Sequence, residues 1–141
     1  MFFAKLLRLA ALVVAVVAVS VAPALACSAS QGGCYGALSA GEWHPGFDGS
    51  WSVAIGAAWN YDSNSGAQGG ALAQCESRGG LNCAVVGGVF SNGGCGYISS
   101  GTDGNGGVNY GTGPTSADAY AECVNGGDSC DPPIGGCTSS N

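Results

Sequence analysis

The chain has 141 residues, with 27 glycines, eight cysteines, nine carboxylates and three lysines or arginines, for a net charge of −6. Two of the three cations, Lys5 and Arg8, fall in the first 26 residues, so the remainder carries Arg78 alone against all nine carboxylates. Such a surface argues against nucleic acid and acidic membrane as partners, since both are held through lysine and arginine.

Lys5 and Arg8 precede an apolar run from Leu9 to Val19 and then the small-residue stretch Ala24-Leu25-Ala26. This is the pattern of a secretory signal peptide over residues 1–26, with cleavage after Ala26. The apolar run is shorter than the roughly 18 to 20 residues a spanning helix needs, and no later segment is long and apolar enough. The mature chain, residues 27–141, is therefore expected to be secreted and to keep no membrane span. Cleavage leaves Cys27 first, as in a lipid-attached protein. Lipidation signals, however, usually carry leucine where Ala24 stands, and lipidation would strand one cysteine without a partner. Only about 12 percent of residues 27–141 are Leu, Ile, Val or Phe, too few for a large core. Eight cysteines in an exported chain supply the alternative. A bridge closing a loop of about nine residues contributes roughly 2 to 3 kcal/mol, so four of them rival the net stability of a typical domain. One stapled domain is expected.

In chain order, "CYGALSA" from Cys34 to Ala40 reads as a short strand and "GEWHPGFDGS" as a loop. "WSVAIGAAWNY", residues 51–61, alternates Trp51, Val53, Ile55, Ala57, Trp59 and Tyr61 with small residues, which predicts a strand with a bulky face forming core and a small face. Asp62, Ser63, Asn64 and Ser65 are N-cap candidates for a helix that places Ala67, Ala71 and Cys75 four apart. Gly66, Gly69 and Gly70 weaken that helix but leave a small-residue face able to lie close on a sheet. Gly79 and Gly80 supply a left-handed stop. "CAVVGGVF", Cys83 to Phe90, is apolar on both alternations and reads as a central strand. The order then repeats: "CGYISS" and "VNYGTG" as strands around the turn "GTDGNGG", Thr115 or Ser116 as a cap, and a helix carrying Ala117, Tyr120, Ala121 and Val124. In this alignment Cys34 answers to Cys95, Cys75 to Cys123 and Cys83 to Cys130. The expected fold is α+β, two related strand-strand-helix units at about residues 34–90 and 95–137 in one small disulfide-stapled domain.

Each unit sets two cysteines either side of a Gly-Gly turn, which predicts bridges Cys75 to Cys83 and Cys123 to Cys130. Cys27, Cys34, Cys95 and Cys137 then allow three pairings, among which the sequence does not choose. Cys27 with Cys34 and Cys95 with Cys137 keeps the loops short.

The run "YGALS … WSVAIGAAW … ALAQC … GG … NCAVVGGVF … GGCGYIS" resembles the small exported bacterial proteins grouped as domain of unknown function 4189. Members share, in this order, an aromatic-Gly-Ala strand, an aromatic-and-glycine strand, an Ala-rich helix ending in Cys, a Gly-Gly turn with a second Cys, a Val-rich strand and an Asn-x-x-Cys-Gly element. The resemblance spans about residues 34–130 and departs from the family where glycines replace the usual helical Glu and Arg. It implies export and this architecture, and it supplies no catalytic residue.

Three stretches invite a chemical reading. His44, in "EWHP", is the one histidine, and general-base work needs a positioned partner and a nucleophile that Glu42 and oxidised cysteines do not provide. Asp103 and Asn105 open like a calcium loop, but Gly107, Val108 and Pro114 stand where ligands, glycine and a bidentate glutamate belong, so a hairpin turn is expected. Neither a metal nor a cofactor is expected. The aromatic set Trp43, Phe47, Trp51, Trp59, Tyr61 and Tyr110, near Asp48, Asn60 and Asp62, has the composition of a sugar platform as well as of a core. Trp43 and Phe47, placed in a loop, are the candidate binding residues. The resulting expectation is a non-enzymatic binding or interaction domain whose partner is an unknown protein or glycan outside the cytoplasm. One alternative is a secreted glycan-active hydrolase using paired carboxylates, Asp48 and Asp62. The other is a structural or inhibitor-like protein that binds another exported protein.

Overall fold

A computed structural model describes residues 27, 33–44, 51–102, 105, 107–127 and 129–140. The expected signal peptide lies outside the described residues. The elements in order are β1 (Tyr35–Trp43), β2 (Ser52–Tyr61), α1 (Asn64–Ser77), β3 (Leu81–Ser91), β4 (Cys95–Thr102), β5 (Val108–Gly113), α2 (Ser116–Gly126), β6 (Ser129–Cys130) and β7 (Ile134–Cys137). The fold is α+β. One antiparallel sheet has the order β2-β1-β3; in the other, β4 pairs β5 on one side and β6 and β7 on the other.

Alternation along the strands sorts side chains into layers. Leu38 and Ala40 of β1, Ile55 and Ala57 of β2 and Ile98 of β4 meet between the two sheets, with Val53, Val86, Phe90 and Ile134 packed against them. Ala37, Ala58, Ala67 and Ala71 fill the opposite face of the first sheet, beneath α1. Ala119 and Cys123 are the buried residues of α2, which lies on β5 and β4. The stack is helix, sheet, sheet, helix.

Close approach explains the glycines and small residues. A side chain at Gly56 would run into the Ala71 carbonyl of α1, and one at Gly111 into the Cys123 amide of α2. Ser63 caps α1 by accepting from the Gly66 amide at 3.1 Å, and Thr115 caps α2 by accepting from the Asp118 amide at 3.1 Å. Gly79, at φ +86, ends α1. The cysteines pair Cys27–Cys34, Cys75–Cys83, Cys95–Cys137 and Cys123–Cys130. Two of these bridges lie across strands at glycines: a Cβ at Gly41 would stand 2.6 Å from Cys83 Sγ, and one at Gly101 2.7 Å from Cys130 Sγ.

Three expectations need correction. β3 is an edge strand, not a central one. It is apolar on both alternations because α1 covers Val85 and Val89 while the second sheet covers Val86 and Phe90. Its register slips where Ala37 pairs Val89 but Leu38 pairs Val86, and the two residues looped out, Gly87 and Gly88, both have positive φ. Trp51 and Trp59 do not form core; they are 47% and 37% exposed. Ile55 and Ala57 fill the face toward the second sheet, whereas Trp51 stands just before β2 and Trp59 near its far end, against Gly136 of β7. Finally, Ser39 and Gly41 of β1 match Ser99 and Gly101 of β4, since each glycine faces its own unit's bridge. Cys95 therefore corresponds to Tyr35, one residue away from the expected partner Cys34.

Candidate functional site

β2 forms one edge of its sheet, and α1 runs beside it. Gln74 and Arg78 are four apart and project from the same side of that helix. Gln74 Oε1 accepts from the Ala57 amide at 2.8 Å, and Arg78 Nη1 donates to the Ile55 carbonyl at 3.1 Å. These main-chain groups of Ile55 and Ala57 are ones an added strand would use.

Two clefts follow one another along this edge. The first has a volume of about 310 Å³ and is lined by Trp43, Val53, Ile55, Arg78, Asp131 and Ile134 among others. Trp43 is 38% exposed and lies over the end of α1, where a Cβ at Gly79 would stand 2.9 Å from its Nε1. The second has a volume of about 360 Å³ and is lined by Ala58, Trp59, Asn60, Tyr61, Gly70 and Gln74, with Ala57 at its floor. Asn60 has φ +62, an uncommon value for a residue with a side chain. Its turn breaks the alternation, so Trp59 leans toward β7, where a Cβ at Gly136 would stand 2.8 Å from its ring, while Tyr61 lies on α1 against Gly70. Asn60 is tied to the C-terminal segment, its Oδ1 accepting from the Ser139 amide at 2.8 Å.

The two clefts offer aromatic faces and apolar floors rimmed by amides, a guanidinium and a carboxylate. That mixture suits a ligand with apolar ring faces and hydroxyl edges. Of the sequence candidates, Trp43, expected in a loop but the last residue of β1, where it pairs Ser52, lines the first cleft, while Trp59, Asn60 and Tyr61 come together in the second. Phe47 and Asp48 lie outside the described residues. Asp62 is exposed just before α1, and neither cleft is lined by it. His44 packs edge-on against Trp51 with ring centroids 3.8 Å apart, both rings exposed beside Trp43. Tyr110 lines a different opening. Gln74, Arg78 and Asp131 were not foreseen. The spacing of Gln74 and Arg78, next to the buried stripe of Ala67, Ala71 and Cys75, is the signal that would have found the first two.

Among the described residues no helix is long and apolar enough to cross a membrane. A family model described as Domain of unknown function (DUF4189) matches residues 35–137. No curated protein and no solved structure matches the chain.

Proposed function

The chain belongs to the family of domain of unknown function 4189, and from that premise we propose that it is an exported, freely released, non-enzymatic domain that binds a glycan along the outer edge of β2. The signal-like residues 1–26 and the four disulfides support export, since such bridges persist in oxidising compartments. Release rather than lipid anchoring is supported by the Cys27–Cys34 bridge, which occupies the sulfur that lipid attachment requires.

The observation that carries the glycan reading is the pair of exposed tryptophans, Trp43 and Trp59, one at each of two clefts along an edge whose main chain is already engaged. A peptide adding as a strand needs the Ile55 carbonyl and the Ala57 amide, and Arg78 and Gln74 hold both. A sugar needs neither, because it stacks its ring on an aromatic face and takes side-chain hydrogen bonds. At about 3.3 Å per residue, Trp59 stands roughly 13 Å along the strand from Ile55, so the ligand is a short stretch of polysaccharide rather than a single sugar.

The test is tryptophan fluorescence of the oxidised protein titrated with soluble polysaccharides and cell-wall fragments, with product analysis on the same samples. At least one glycan should give a saturable change, weakened about tenfold in Trp43→Ala and in Trp59→Ala, with no new reducing ends. No response to any glycan, or affinity unchanged in both variants, overturns the binding site; new reducing ends overturn the non-enzymatic assignment.

A further inference from the structure

A second kind of opening lies at one end of the space between the two sheets. It has a volume of about 280 Å³; Val53, Val86, Val108 and Tyr110 form its walls, and Glu42 and Asn82 stand at its polar rim. Alternation assigns the apolar wall residues to inner faces. On β5 the residues between them face α2 instead: the Asn109 amide donates to the Cys123 carbonyl, and Gly111 lies directly under α2. Inner-face positions are where core belongs, yet Val108 and Tyr110 are 36% and 43% exposed. Exposed large apolar side chains gathered at one opening mark an interaction site more often than chance scatter does. Asn82, with φ +53, adopts the left-handed conformation that asparagine tolerates well and bends the start of β3 at this rim.

We propose that this opening docks a segment of another exported protein, a segment that carries a bulky apolar side chain next to lysine or arginine. Three observations select that occupant. The volume suits one large side chain and lies just below the range of sites for free small molecules. The charge is one-sided: outside residues 1–26 the chain has nine carboxylates and only Arg78 as a cation, Arg78 is engaged at the β2 edge, and Glu42 stands at the rim of this opening. A basic neighbour is drawn in and an acidic one repelled. The opening also lies beside β3, an edge strand, so an extended segment finds main-chain partners there of the kind that Gln74 and Arg78 close off on β2. The inference does not rest on the glycan reading.

The experiment uses the full oxidised protein and three fluorescently labelled octapeptides: a central phenylalanine flanked by lysines, the same residue flanked by glutamates, and alanine flanked by lysines. Anisotropy titrations at two salt concentrations should show saturable binding of the first peptide only, weakening with salt. Val108→Asp should reduce its affinity about tenfold or more, and Glu42→Gln should reduce it several-fold and flatten the salt dependence. Trp43→Ala should leave it unchanged, which separates this site from the glycan clefts. Glu42 lies at the rim rather than in the core, so its substitution keeps the test valid if Val108→Asp disturbs folding. Equal binding of all three peptides, equal binding of both lysine peptides, or parent affinity in Glu42→Gln and Val108→Asp would overturn the proposal.

Discussion

Gly56 and Gly69 are the same residue with opposite consequences. Gly56 lies on β2 where the Ala71 carbonyl presses against it, and Gly111 on β5 is pressed in the same way by α2. Gly56→Ala and Gly111→Ala should each lower stability by about 2 kcal/mol or more through overpacking. Gly69 sits on the outer face of α1, where an added Cβ would meet nothing within 4 Å, so Gly69→Ala should raise stability by about 1 kcal/mol. Urea unfolding midpoints of the three variants check both signs; a destabilised Gly69→Ala would contradict the position of that helix face. The glycines were legible as a means of close packing, but not which of them made the contacts, because Gly69 and Gly70 are neighbours and only Gly70 meets Tyr61. The tryptophans of β2 misled for a related reason. Period-two spacing reveals which residues share a face and does not reveal how far along that face the second sheet extends.

Helix ends were the elements most open to reading in advance, since Ser63 and Thr115 are local signals with local partners. Replacing either by alanine should cost about 1 kcal/mol, read from the same unfolding curves. Strand position was less legible, as β3 shows: residues apolar on both alternations report what covers the two faces of a sheet, not which strands lie beside them. Edge protection was not foreseen at all, yet both units have it. Gln74 accepts from the Ala57 amide just after Gly56, and Glu122 accepts from the Thr112 amide just after Gly111. With Gln74→Ala and Arg78→Ala combined, the Ile55 carbonyl and Ala57 amide lose their partners, and concentration-dependent self-association should appear in sedimentation velocity. A double variant that sediments as the parent does at every concentration would show that the edge is guarded by something else. Among the bridges, Cys95–Cys137 joins directly opposed residues of β4 and β7 and has Cys137 exposed, whereas Cys34, Cys75 and Cys123 are buried. Limiting reductant should open Cys95–Cys137 first, which a peptide map resolves, and should loosen β7 beneath Trp59.

At the scale of the molecule, staples and close contacts replace a large core. The face-to-face packing of the two sheets, with Leu38 and Ile98 in one cluster, joins residues far apart in sequence, and no local pattern announces such a pairing. The composition did announce the need for bridges, and the two across the Gly-Gly turns are local enough to be read directly. The β2-edge clefts depend on α1 lying beside β2 and on β7 lying under Trp59, which are tertiary facts; of the candidate site only its aromatic and amide composition was visible beforehand. The whole arrangement stands on oxidation and four specific bridges, and the proposal adds export. The decisive measurement is therefore the intact mass of the exported protein with and without reduction, followed by a peptide map of its cysteines. An unmodified Cys27 at the N-terminus, a gain of about eight hydrogens on reduction, and linked peptides for Cys27–Cys34, Cys75–Cys83, Cys95–Cys137 and Cys123–Cys130 are the predicted result. Lipid on Cys27 together with a free Cys34 thiol would contradict it, placing the protein on its own envelope rather than free outside the cell.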